Sequence, residues 1–358
     1  MTMDRRLLDL FRIEHPIVLA PMAGAMDERL AIAVAQGGGL GSLPVALLDE
    51  AKMRAQVAAF RAACDKPVNL NFFCHTPPVP NNAREHGWRE ALAPYYREYG
   101  IDPAAPVPSS NRTPFDAVLC AAVADMKPEV VSFHFGLPEP ALVGCVKAAG
   151  CIVMSSATTV EEAVWLEAHG ADVIIAQGYE AGGHRGVFLT RDISAQPGTF
   201  ALIPQVVDAV KVPVVAAGGI ADARGIAAAF ALGASAAQIG TAFLFCPESR
   251  ILPPHRAALR AARADGTVVT NVMTGRPARG LVNRVMRELG PISALAPEFP
   301  LAGGALAPLG AKAQAQGSGD FSPMWAGQAA ALGRELPAGE LVGELAAQSR
   351  ALIARMAG

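Results

Sequence analysis

Short, largely apolar segments four or five residues long recur along the first two thirds of the chain. They alternate with stretches whose apolar positions repeat at helical spacing. An apolar run with no inside/outside alternation is the pattern of a strand covered on both faces, as in parallel sheets. Taken in order, the runs predict strands at Ile17–Ala20, near Leu40–Leu43, and at Val68–Phe72, Val130–Phe133, Cys151–Met154, Val173–Ala176, Val214–Ala217 and Ala236–Ile239. The segments Leu30–Gln36, Ala46–Ala63, Pro140–Ala149, Val160–His169, Phe200–Val210 and Asp222–Leu232 predict the helices between them. Eight strands alternating with helices specify an α/β chain folded as a (β/α)8 TIM barrel.

Two stretches break this rhythm. Residues 75–113 are rich in proline and polar side chains, with helical patches around Ala83–Tyr99. An excursion of that length within a compact domain belongs to a lid or a binding site. After Cys246 no further βα unit follows. Glu248–Ala264 and Gly275–Leu289 read as helical, so residues 247–320 are expected to form a small helical domain inserted after the eighth strand. Residues 1–246 then make the barrel, and residues 321–358, with helices at Met324–Leu332 and Ala338–Met356, close it. The Gly37-Gly38-Gly39 triplet precedes a strand instead of opening a helix, so the mechanism of a dinucleotide-binding loop is absent.

Composition narrows the classes of partner. The chain is 52% hydrophobic and 17% charged, enough for a large buried core. A net charge of −2 without a dense Lys/Arg cluster argues against nucleic acid or an anionic membrane as partner. The cysteines at 64, 74, 120, 145, 151 and 246 show neither CxxC nor zinc spacing and read as free thiols of a reducing cytoplasm. The N-terminal MTMDRRLLDLFRIEHP lacks a secretory apolar run. Gly225–Cys246 has no charge over a membrane-span length, but Gly233 and Gln238 divide it into helix, turn and strand. A soluble, cytoplasmic protein is expected, with a homodimer left open as its assembly.

Candidate chemistry gathers at the carboxyl ends of the predicted strands, where barrels of this kind place their active sites. The loops after the seventh and eighth strands carry Gly218-Gly219 and Gln238-Ile239-Gly240-Thr241. Their glycine N–H groups can converge on a phosphate, and Thr241 adds a hydroxyl. With no Walker-type lysine motif, that phosphate is assigned to a cofactor. Asn69, Gln177 and the backbone at Met22–Ala23 offer uncharged polar groups to a flat heteroaromatic ring. The stretch Gln177-Gly-Tyr-Glu-Ala-Gly-Gly-His-Arg-Gly186 follows the sixth strand; its glycines permit close backbone approach, and His184 can exchange a proton near neutral pH. His134 also falls at a strand end, and Met22, Phe72 and Phe73 would supply an apolar wall. No HExxH, paired-carboxylate or Ser/His/Asp arrangement is present, and no metal site is expected.

Together, Pro21-Met22-Ala23-Gly24, Pro67-Val-Asn-Leu-Asn-Phe-Phe73, the Gln177–Gly186 block, Ala217-Gly218-Gly219-Ile220 and Gln238-Ile239-Gly240-Thr241 resemble the nitronate monooxygenases, formerly called 2-nitropropane dioxygenases. The resemblance runs in order from residue 15 to about 245 and is strongest to the class I group. It implies a barrel that binds FMN non-covalently and oxidises alkyl nitronates, and more slowly nitroalkanes, with O2 to carbonyl compounds and nitrite. It assigns FMN contacts to Met22, Asn69, Gln177, Gly183, Gly219 and Gln238–Thr241, with Ala23, His134, Gly182 and Gly218 beside them. His184 would be the base next to flavin N5, and the Trp325–Gln328 segment a flavin or substrate contact. The Glu-Ala-Gly-Gly-His core is shared with FMN-dependent enoyl-ACP reductases and NADH:quinone reductases. An NAD(P)H-dependent FMN reductase acting on quinones or enoyl thioesters is therefore the alternative.

Overall fold

The structure is a computed structural model that describes residues 5–108 and 112–357. The apolar runs form eight parallel strands: β1 (Ile17–Leu19), β2 (Gly41–Pro44), β3 (Val68–Phe73), β4 (Val130–His134), β5 (Ile152–Ala157), β6 (Val173–Gln177), β8 (Val214–Ala217) and β9 (Ala236–Ile239); a short β7 (Gly183–His184) lies outside this sheet. Neighbours follow the order β1-β9-β8-β6-β5-β4-β3-β2. The Leu19 N–H donates to the Leu40 carbonyl at 3.0 Å and the Leu40 N–H to the Ile17 carbonyl at 2.9 Å, which joins the two ends into a (β/α)8 barrel without open edges.

Both faces of the strands are buried, which is why most of their residues are apolar and the few polar ones, such as Ser42, Asn69 and Ser132, are buried too. Val18, Val130, Met154, Val173, Ile175, Val215 and Ala236 pack together inside the ring. Leu7 and Phe11 of the helix Arg6–Phe11 join this cluster and plug the barrel at its base, an element absent from the reading of the sequence. The opposite faces, with Leu19, Leu70, Val131, Ile174 and Ala216, pack on the surrounding helices. Those helices begin at carboxylate and hydroxyl caps: Asp27, Asp49, Thr159 and Asp222 each accept from a backbone N–H of the first turn. The helix Ala338–Ala357 completes the shell through Leu341, Val342 and Leu345.

The two irregular stretches meet in a second, smaller lobe. Helix Asn82–Glu98 from the 75–113 excursion packs on helix Ala302–Ala315 through Trp88, Leu92, Tyr95, Leu306 and Leu309. The Trp88 indole N–H donates to the Ala302 carbonyl at 3.1 Å and the Tyr96 hydroxyl to the Ala305 carbonyl at 2.5 Å. This region is not wholly helical, as the sequence suggested. β10 (Thr267–Thr270) and β11 (Ala278–Leu281) run antiparallel, and β11 also pairs with β7. Helix is confined to Pro253–Arg260 and Arg284–Leu289 within the two windows expected to be helical before residue 290. Met324–Leu332 is an extended bridge from Trp325 to Gly280 followed by a 3₁₀ turn at Ala330–Leu332. The cause lies at Gly280: a Cβ there would stand 2.8 Å from the Met324 carbonyl, so bare backbone lets the two segments lie side by side. Among the described residues no helix is long and apolar enough to cross a membrane.

Candidate active site

The carboxyl ends of the barrel strands open into a cavity of about 420 Å3 roofed by the second lobe, a size typical of cofactor and small-ligand sites. Met22, Ala23, His134, Gln177, Gly182, Gly183, His184, Gly218, Gly219, Gln238, Gly240 and Thr241 all line it. Three residues expected there do not. Asn69 lies a layer deeper, its Nδ2 donating to Ser42 Oγ at 3.0 Å. Asn71, on the same face and one pleat repeat (about 7 Å) closer to the mouth, lines the cavity instead and donates to Ser132 Oγ at 3.0 Å. Ile239 is 1% exposed in the outer core, because strand alternation turns it away from the side that Gln238 and Gly240 face. By the same alternation Phe72 packs on Phe115 and Phe133, leaving the apolar wall to Phe73.

One end of the cavity is bare backbone. Gly218 and Gly219 have φ of 114° and 70°, a left-handed region that only glycine enters cheaply. A Cβ added at Gly240 would lie 3.3 Å from Ala20 Cβ and 3.5 Å from Met22 Sδ. Nearby, the buried Gln238 Oε1 has no hydrogen-bond partner in the protein. Among the described residues no Asp or Glu lines the cavity. Uncovered backbone turns, an orphaned amide oxygen and the absence of carboxylates suit a flat cofactor carrying a phosphate and a ring N–H donor.

The other end is built around His184. Pairing of Ala278 with His184 and of Arg279 with Gly183 ties this loop to β11. Arg185, 0% exposed, turns beneath it: its guanidinium donates to the carbonyls of Gly178 (3.3 Å), Tyr179 (3.1 Å), Ala181 and Gly183 (2.9 Å). Gln177 holds the following turn, donating through Nε2 to the His184 carbonyl at 3.0 Å and accepting from the Gly186 N–H at 2.8 Å. His134 Nε2–H donates to that same carbonyl at 3.3 Å, while its Nδ1 accepts from the Ser156 hydroxyl at 2.6 Å. Burial, reinforced by the positive charge of Arg276, lowers the His134 pKa to about 3. His134 is therefore a neutral prop with both ring nitrogens engaged by protein.

The His184 ring sits among Phe73, Phe299 and Trp325, with ring centroids 6.2, 5.2 and 5.5 Å away. Its Nε2 lies 2.9 Å from Thr274 Oγ1, and that hydroxyl donates to the Arg276 carbonyl at 3.4 Å. The Thr274 oxygen thus accepts the Nε2 proton, which leaves Nδ1 as the basic nitrogen. Burial first, then the charge of Arg112 and its cationic neighbours, holds the His184 pKa well below its usual 6.5. The ring is neutral through the physiological range.

Thr274 and Phe299 come from stretches without a motif, and nothing local in the sequence points to them. Arg185 stands inside the motif, yet an arginine in a loop reads as solvated. Its burial makes a test. Arg185→Met preserves most of the volume but removes the guanidinium from four carbonyls; Gly178 keeps the Ala181 N–H and Tyr179 keeps Arg279 Nε, and each carbonyl left without a donor costs about 1–3 kcal/mol. The variant is expected to unfold at clearly lower urea concentration than the parent. An unchanged midpoint would mean that the guanidinium is dispensable to the loop.

The family model described as "Nitronate monooxygenase" matches residues 4–348. The nitronate monooxygenase of Pseudomonas aeruginosa is 44% identical over 350 residues, covering 97% of this chain and 100% of that protein. That of Paraburkholderia phytofirmans is 45% identical over 348 residues, with 96% and 94% covered. Among solved structures, nitroalkane oxidase from Streptomyces ansochromogenes superposes with a TM-score of 0.88 at 40% identity, over 98% of this chain and 99% of its own. FabK from Thermotoga maritima superposes with a TM-score of 0.75 at 29% identity, over 100% and 99%.

Proposed function

This chain belongs to the nitronate monooxygenase family, and on that premise we propose that it binds FMN and oxidises alkyl nitronates, and more slowly nitroalkanes, with O2 to carbonyl compounds and nitrite. One observation carries the reading: a buried histidine, its Nε2 held by Thr274, stands in a mostly apolar chamber that opens onto two bare glycine turns. Gly218, Gly219, Gly240 and Thr241 would hold the FMN phosphate, and Met22, Ala23, Asn71, Gly183 and Gln238 its ring. The residue 1–246 barrel would thus carry the cofactor, and residues 247–320, joined by helix Asn82–Glu98, the cover over the substrate. Bound there, FMN supplies the redox centre that takes electrons from the substrate and returns them to O2.

The protein's part is acid–base and steric. A neutral nitroalkane must lose its α-proton, and His184 Nδ1 accepts it; a nitronate arrives already deprotonated and needs no base. Phe73, Phe299 and Trp325 keep water from the reacting carbon and favour small aliphatic groups. Because the pKa of His184 lies well below 6.5, the base form persists as pH falls through that value and is lost only further down. The kcat/KM for nitroethane, measured below the pH at which the substrate itself ionises, is expected to stay level between pH 7.5 and 6. A decline centred near 6.5 would mean that the base is an unperturbed histidine. The six free thiols accord with a cytoplasmic setting.

The likeness to FabK favours a second reading, an NAD(P)H-dependent FMN reductase of quinones or enoyl thioesters. Anaerobic mixing separates the two. Bleaching of the yellow protein by ethyl nitronate alone supports the nitronate reading, and rapid bleaching by NADH or NADPH supports the reductase. A purified protein without a flavin spectrum would sink both.

A further inference from the structure

Among the described residues that line the cavity, Arg112 is the one with a permanently charged side chain, and no carboxylate lines the chamber with it. It stands at the end of the 75–113 excursion, whose return is fastened to the barrel where the Phe115 N–H donates to the Phe73 carbonyl at 2.8 Å, at the end of β3. Its guanidinium carbon lies 5.4 Å from the centroid of the Phe299 ring. That same ring lies 5.2 Å from the His184 imidazole. A cation and a neutral base therefore share one aromatic wall.

We propose that Arg112 is the oxyanion-recognition residue of this site: its guanidinium receives the two oxygens of the substrate's nitro or nitronate group while the α-carbon faces His184. The inference rests on the nitronate-oxidising reading above. A nitronate carries its charge on two coplanar oxygens, the geometry that a guanidinium fork matches with parallel hydrogen bonds. Burying such an anion among aromatic rings is costly unless a cation meets it. With a neutral nitroalkane, the α-proton passes to His184 Nδ1, the C–H electron pair becomes the C=N bond, and the displaced N=O pair settles on oxygen. Negative charge thus develops where Arg112 stands, and the guanidinium favours the transition state over the neutral ground state. The same positive charge contributes to holding His184 in its neutral form.

The test uses Arg112→Gln and Arg112→Lys in the FMN-loaded enzyme, with ethyl nitronate, nitroethane and inorganic nitrate as probes. In Arg112→Gln the KM for ethyl nitronate is expected to rise about 10- to 100-fold, the loss of a charge-assisted bidentate contact. For nitroethane, kcat should fall while KM changes little. Nitrate, a planar anion, should inhibit the parent competitively and fail to inhibit Arg112→Gln. Arg112→Lys keeps the charge without the fork and should fall between the two. An unchanged nitronate KM together with retained nitrate inhibition in Arg112→Gln would overturn the inference. If that variant does not fold, parental nitronate affinity in Arg112→Lys overturns it equally. A parent enzyme whose flavin spectrum responds to nitrate, but which oxidises no nitronate, would overturn the functional reading alone; Arg112 would then be judged by whether Arg112→Gln abolishes that response.

Discussion

His184→Asn is expected to lose about 10²- to 10⁴-fold in turnover of nitroethane, the usual contribution of a positioned general base, while turnover of ethyl nitronate changes little. The split follows from the substrates, since only the neutral one has a proton to give up. The loop should survive the substitution. β7 is held by its pairing with β11, by Arg185 on four carbonyls, and by Gln177 and His134 on the His184 carbonyl; none of these uses the imidazole. The His184 side chain gives up its hydrogen bond to Thr274, which an Asn amide can replace in kind. Steady-state kinetics on both substrates, with flavin content measured alongside, reads the result. Parallel losses on the two would remove His184 from the role of base and leave it ordering the loop.

Gly240→Leu is expected to give a folded, colourless protein. The position has a negative φ of −113°, so a side chain there escapes the penalty of the left-handed region. The new side chain would start against Ala20 Cβ and Met22 Sδ, at the cavity end assigned to the phosphate. Gly219 is a poorer probe because its φ of 70° penalises every Cβ whether or not a ligand is displaced. Flavin absorbance per chain and far-ultraviolet circular dichroism settle the matter together. A Gly240→Leu protein that purified with full FMN and a native spectrum would refute the phosphate assignment.

The barrel was legible in the sequence because its strands are defined locally: each is a short, mostly apolar segment buried on both faces and separated from the next by a helical pattern. β10 and β11 escaped detection for the opposite reason. β11 carries the buried Arg279 and is fixed partly by β7, some 95 residues earlier in the chain. The site divides along the same line. Glycine turns at strand ends and His184 announce themselves within a few residues, whereas Arg112 reaches the chamber, and Thr274 and Phe299 reach His184, from distant segments. Asn69 and Asn71 could not be separated by parity, since residues two apart share a face; their depth depends on how the barrel is sheared, which no local pattern encodes.

The second lobe also bears on how the chain is made. Its two helices touch through residues more than 200 positions apart, Trp88 with Ala302 and Tyr96 with Ala305. At a synthesis rate of about 5–20 residues per second, helix Asn82–Glu98 leaves the ribosome roughly 10–40 s before the helix that covers it exists. Throughout that interval Trp88, Leu92, Tyr95 and Tyr96 lack their partners Leu306 and Leu309 to pack against. The chamber's roof thus cannot be assembled until more than 200 further residues have been made, and the nascent chain carries an aromatic surface suited to chaperone capture until then.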